Sequence, residues 1–220
     1  MNILAIVLLA LAAIIAAAVL SYRRRLARSA FIDGYRFPPG IRERVRRRYP
    51  HLADGDLDRV MHGLSAWFHV SHAAGRKVVS MPSQAVDAAW HEFILFTRNY
   101  RDFCRKALGR FLHHTPAEAM RTPTEAQEGI RRAWRLSCAR EGIDPRRPSR
   151  LPLLFALDAD LGIGDGFRYA LDCSPAPAAQ RAGDGGTYCA AHIGCGSGAG
   201  DGGCASDSGC SSGCGGGGGD

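Results

Sequence analysis

From Ile3 to Leu20 the chain runs through eighteen residues without a charge, a proline or a glycine. At 1.5 Å of rise per residue that makes about 27 Å of helix, just enough to cross the hydrocarbon core of a bilayer. No face of it is polar, which sets it apart from an amphipathic helix packed on a core. Met1 and Asn2 carry no side-chain charge, whereas Arg23, Arg24, Arg25 and Arg28 follow the run. The positive-inside bias therefore places the N-terminus outside and the main domain in the cytoplasm, as a single-pass membrane protein. A cleaved signal peptide is the rival reading, since Ala16-Ala17-Ala18 offers small residues to a peptidase. It lacks the basic n-region of such a signal, and the arginine cluster would sit just past the cut. Residues 1–22 are read as a transmembrane anchor and 23–40 as a juxtamembrane link, in which Phe37-Pro38-Pro39-Gly40 breaks any helix leaving the membrane.

Apolar positions at steps of three and four organise the rest into helices. Ile41 to Arg48 is a short basic one, and Asp54 to Ala74 places Leu57, Val60, Leu64, Trp67 and Phe68 on one face, with Gly75 as the stop. The longest helix is expected to start at Ser80 or Ser83 and run to Leu108, with Val86, Trp90, Phe93, Tyr100 and Cys104 on one side. Another opens on the capping box Thr124-Glu125-Ala126-Gln127, carries Ile130, Ala133, Trp134 and Cys138 inward, and stops at Gly142. Leu151 to Gly162 reads as a short helix closing the core, and no alternating strand series appears. The expected class is all-α, with a small helical bundle over residues 41–172. From 173 to 220 the composition turns to Ala/Pro and then Gly/Ser/Cys. Too few large apolar residues remain there to offset chain entropy, so a disordered tail is expected.

Without the tail from Ser174, 27 basic side chains face 17 acidic ones, and only Lys77 and Lys106 among the basic residues are lysines. Such a body suits anionic lipid head groups. Nucleic acid ranks lower as a partner, because the arginines are dispersed and no reader motif accompanies them.

The chemistry-bearing stretch is Met81 to Cys104, followed by Gly109-Arg-Phe-Leu-His-His-Thr-Pro116. Asp87 and His91 are four apart and share a helix face, and His113 or His114 can add nitrogen ligands. Three or four such groups make a site for a divalent metal such as zinc, with an open position. The structural alternative puts His91 beside Trp90 at a helix seam, with Asp87 fixing its tautomer and His113-His114 packing at a turn. The H-E-x-x-H spacing of metalloproteases is absent.

At these residues the chain resembles the glycine-rich domain-containing protein-like family. Members carry a Val-Asp-x-x-Trp-His-x-His core, a following Tyr and Cys, and a Gly before a His-His or His-Asp element. Val86, Asp87, Trp90, His91, Tyr100, Cys104, Gly109, His113 and His114 match, while the second histidine of the core is Phe93 here. The resemblance covers 80–116 and, more loosely, the Leu-Pro-Leu-Leu-Phe-Ala-Leu-Asp segment ending at Asp158. It implies no established activity. Plant relatives carry glycine-rich and sometimes RNA-binding segments, and no RNA-binding motif is visible in this chain.

The remaining candidates are weaker. His62, His69 and His72 lie on the 54–74 helix, where half-burial is the ordinary fate of a histidine. Cys104 and Cys138 fall on apolar faces and behave as small hydrophobes, although Cys104 with His113 or His114 has the composition of a nucleophile pair. In the tail, Cys189, His192, Cys195, Cys204, Cys210 and Cys214 are of metal-ligand type but lack paired C-x2-C knuckles. Soft-metal capture, lipid attachment and redox crosslinking are open to them. A disordered tail with no fixed metal is the leading expectation, and a reducing cytoplasm argues against stable disulfides. Together these features predict a membrane-anchored interaction or scaffold module, with a metal-binding protein or metal-dependent enzyme as the alternative.

Overall fold

Seven helices and one two-stranded pair make up the described residues, which are 3–114, 123–171, 188–189 and 193 of this computed structural model. The class is all-α, as expected. The first helix, α1, runs unbroken from Ile3 to Asp33 and is long and apolar enough to cross a membrane. Every residue from Ile3 to Ala27 is exposed, so the domain covers none of the apolar run.

The stretch expected as a link is helical as far as Asp33. Nothing between Ser21 and Asp33 breaks a helix, and its last turns have a core to join. Ile32 is buried, and Ser29 and Asp33 meet the ring of His69 at 3.4 and 2.7 Å. Arg28 donates to the carbonyl of Leu108 at 3.3 Å. Beyond the helix, Tyr35 packs on Phe103 with ring centroids 4.6 Å apart, and Phe37 meets Phe93 edge-on at 5.2 Å. From Arg28 onward the expected link is thus part of the domain rather than a spacer before it. His69 is accordingly buried against α1 rather than half-exposed.

Pro39 opens α2 (Pro39–Arg48), where a missing N–H costs nothing. Helix α3 (Asp54–Ala74) has the expected bounds, and Ala53 N–H donates to the Asp56 carboxylate at 3.1 Å to close its first turn. It ends at Gly75, whose φ of 63° suits a residue without Cβ. Gly63 lets α3 approach its neighbours closely, since a Cβ there would lie 2.7 Å from Val86 and 3.2 Å from Leu157.

The single long helix expected from Ser80 or Ser83 to Leu108 is two, α4 (Gln84–Leu95), capped by Ser83, and α5 (Thr97–Ala107). The chain bends at Phe96, where ψ is 61°. The bend folds one apolar stripe back on itself, so that Phe93 meets Tyr100 and Phe103 at ring separations of 5.3 and 5.4 Å. The longest helix is therefore α1.

Helix α6 (Pro123–Glu141) carries Ala133, Trp134 and Cys138 inward as expected, while the side chain of Thr124 lies outside the described residues. Trp134 meets Phe155 of α7 (Leu153–Asp160) edge-on at 5.0 Å. A parallel pair of two-residue strands, β1 (Tyr169–Ala170) and β2 (Tyr188–Cys189), and the buried Ile193 continue the fold past the expected tail boundary at 173.

Candidate metal centre

Helix α4 owes its position to a buried acid. Asp158, 2% exposed on α7, receives Ser83 Oγ at 2.6 Å, Gln84 N–H at 2.7 Å, Ala85 N–H at 3.2 Å and Phe167 N–H at 2.9 Å. Ser83 Oγ in turn accepts from Val86 N–H at 3.2 Å. A carboxylate at a helix N-terminus satisfies donors that have no partner within the helix and complements its dipole. This clamp fixes the turn that carries Asp87.

The opposite wall is the segment after α5. Burial raises the Tyr100 phenol well above its ordinary pKa, so it stays neutral. It donates to the carbonyl of Leu112 at 2.5 Å and accepts from Trp90 Nε1 at 3.1 Å. These bonds hold residues 108–114 against α4 and bring the ring of His114 onto Trp90 and His91, with centroids 4.8 and 4.0 Å away.

Asp87, His91 and His114 come together as a result, each offering one ligand atom within 4.8 Å of the others. His114 Nε2 lies 3.3 Å from Asp87 Oδ1. His91 Nδ1 lies 3.2 Å from Asp87 Oδ2 and 2.9 Å from its backbone carbonyl. Both neighbours of His91 Nδ1 are acceptors, so Nδ1 is the donor of this contact. The side chain of His91 is 50% exposed, against 23% for Asp87 and 18% for His114, so the cluster opens to solvent. His91 faces outward while Trp90 is buried, so His91 does not lie at a helix seam.

His113 does not join the cluster. Its ring packs on Phe111 at 4.8 Å, on the other side of the extended segment. Phe93, which stands where the resembled pattern has a second histidine, is fully buried among the aromatic rings, so that position faces the core rather than the cluster. Cys104 is buried, and burial raises its thiol pKa, which opposes the nucleophile reading. Burial likewise pushes Cys138 up to about 11. Of the tail candidates, only the backbone of Cys189 is described, paired with Ala170. His192, Cys195, Cys204, Cys210 and Cys214 lie outside the described residues.

Two imidazoles and a carboxylate form a ligand set for zinc or another first-row divalent ion, with positions left for water or a fourth ligand. Ligand atoms at tetrahedral metal distances of about 2.0–2.2 Å sit closer together than the 4.8 Å limit seen here, so the side chains would have to draw inward to hold an ion. Sequence reasoning found Asp87, His91 and His114 but missed Asp158, whose signal was an acid at the end of an otherwise apolar segment.

Fold and site define a mainly helical domain, continuous with a membrane-length helix, that displays an Asp-His-His cluster. The chain belongs to the UCP032817-like family, whose model matches residues 27–193. That span begins where α1 enters the domain and includes both walls of the cluster. No curated protein and no solved structure matches the chain.

Proposed function

We propose that this is a single-pass membrane protein whose helical domain binds one divalent transition-metal ion through Asp87, His91 and His114 and serves as an interaction module at the membrane surface. The convergence of these three ligands from two separately fixed walls carries the proposal. The hydrogen bond from His91 Nδ1 to the Asp87 carbonyl is the second-shell support that metal-binding imidazoles ordinarily have. Arg23, Arg24, Arg25 and Arg28 support a cytoplasmic domain. The relationship to the glycine-rich domain-containing protein-like family belongs to the same proposal, since the residues that carry it build this corner of the domain.

The module reading is supported by concave surface on the helical domain outside the cluster. One concavity is an open notch lined by Ile94, Thr97, Arg98, Tyr100 and Phe111, and another is bordered by Phe31, Tyr35 and Asp102. Neither includes a member of the cluster. A second reading, a scaffold without metal, is favoured by Asp87 itself, whose backbone carbonyl accepts from His91 and whose carboxylate lies 3.3 Å from His114 Nε2.

Elemental analysis of the full chain in nanodiscs separates the two, with the tail cysteines replaced by serine to remove competing thiolates. One equivalent of metal, lost in His91→Ala and His114→Ala but kept in His113→Ala, is expected. Cobalt bound there should lack thiolate charge-transfer absorption. Metal-free protein that unfolds normally would leave the scaffold reading alone standing.

A further inference from the structure

We propose that the membrane-facing end of the domain is a basic collar that seats on anionic lipid head groups around the exit of α1, an inference that rests on reading α1 as the membrane span. The packing register sets the geometry. Along α1, Arg25 meets His72, Ser29 meets His69, Phe31 meets Phe103 and Arg28 meets Leu108. Helices α3 and α5 therefore both run back toward the bilayer and end level with residues 25–28. Arg110 ties the two exits together by donating to the Gly75 carbonyl from Nε at 3.0 Å and Nη2 at 2.5 Å.

Cations gather where these ends meet. Helix α1 supplies Arg23, Arg24, Arg25 and Arg28, and the domain adds Arg76 and Lys77 after α3 with Lys106 and Arg110 around the end of α5. The three converging segments, 21–32, 72–80 and 103–114, contain no Asp or Glu. Arg76, Lys77 and Lys106 are exposed, and among the described residues none forms an ion pair with an acid. An exposed apolar side chain, Val78 at 42%, stands beside Lys77, an arrangement suited to a lipid interface.

The height is right as well. Arg28 follows Leu20 by eight residues, about 12 Å along the axis. With a Debye length of about 8 Å at physiological salt, charges placed there feel the field of an anionic leaflet, whereas those on the far side of the domain do not. Because α1 enters the domain as continuous helix, the collar is held at this height and needs no separate ordering step.

Hydrogen–deuterium exchange of the full chain in phosphatidylcholine nanodiscs, with and without phosphatidylserine, tests the proposal. Amides of 75–79 and 108–112 should slow by about fivefold or more with phosphatidylserine, and the slowing should vanish in R76Q/K77Q/K106Q and at high salt. Equal exchange in both discs would overturn the collar while leaving the anchor intact. Protection by single-stranded RNA in neutral discs, with no phosphatidylserine effect, would overturn it in favour of nucleic acid. Release of the chain from membranes by an alkaline wash would overturn anchor and collar together.

Discussion

Asp158→Asn preserves the size of the side chain but turns one of two acceptor oxygens into a donor. If the new NH2 faces Ser83 Oγ and Ala85 N–H, the hydroxyl can rotate to accept and one backbone donor is orphaned. If it faces Gln84 N–H and Phe167 N–H, two fixed donors are orphaned, so the first orientation wins. One buried orphan costs about 1–3 kcal/mol, and loss of charge assistance on the two remaining bonds costs about 1 kcal/mol each. Relief of burying a charge offsets part of this, because a carboxylate out of water is itself unfavourable. A net loss of about 2–4 kcal/mol is expected, which at about 2–4 °C per kcal/mol for a domain this size lowers Tm by about 4–16 °C. Trp67, Trp90 and Trp134 are all the tryptophans of the chain and all are buried in the domain, so their fluorescence reports its melting without interference from α1. Asp160→Asn is the control. That side chain is half exposed in an ion pair with Arg59, and its loss should shift the melt by no more than about 2 °C. An Asp158→Asn melt indistinguishable from the control would refute the view that this carboxylate clamps α4.

Tyr100→Phe should leave Trp90 Nε1 and the Leu112 carbonyl without their partner, cost about 1–3 kcal/mol in the same melt, and weaken cobalt binding by about tenfold with every ligand intact. Stability should fall with acid: burial, then Arg140, depress the pKa of His69 against the opposing pull of Asp33, and burial, then Arg28, depress that of His72. The unfolded chain therefore binds more protons just below the ordinary value of 6.5, and the urea midpoint should hold steady above it, drop below it, and drop less in His69→Asn. Gly63→Ala should destabilise by about 1–3 kcal/mol through overpacking on Val86, outweighing about 1 kcal/mol of improved helix propensity, and Val86→Ala in the same chain should recover part of the loss in denaturant titrations.

What the sequence made legible follows from which signals are local. Helix α3 could be bounded from Leu57 to Phe68 by spacing and from Gly75 by its stop, because both are properties of one segment. The bend at Phe96 was hidden, since the apolar stripe from Val86 to Cys104 stays in phase across it. Phe31 and Ile32 looked like part of a link because two apolar residues inside a basic run establish no period, and their burial depends on rings supplied by α3, α4 and α5. In the site, Asp87 and His91 were visible as an i, i+4 pair. His113 and His114 were indistinguishable until the bond from Tyr100 to Leu112 fixed which side of the extended segment faces α4. Asp158 closes a short helix and there resembles a solvent-facing end residue. Its four donors come from Ser83, Gln84, Ala85 and Phe167, three of them more than seventy residues away.

Residues 108–114 link the proposed anchor to the proposed metal. Arg28 of α1 binds the Leu108 carbonyl, and its guanidinium lies over Gly109, where a Cβ would come within 2.6 Å of the central carbon. Arg110 then binds Gly75, Tyr100 binds Leu112, and His114 meets Asp87. Seven residues with five attachments leave no hinge between the membrane helix and the cluster. A domain on a flexible linker of n residues explores about 5–6 Å × √n around its anchor. Here the corresponding freedom is absent, because α1 is helical to Asp33 and its last turns are core. A metal held at Asp87, His91 and His114 would keep a fixed height and direction relative to the bilayer, so ligands for its open positions are expected from neighbours in the same membrane rather than from proteins reached through the solvent.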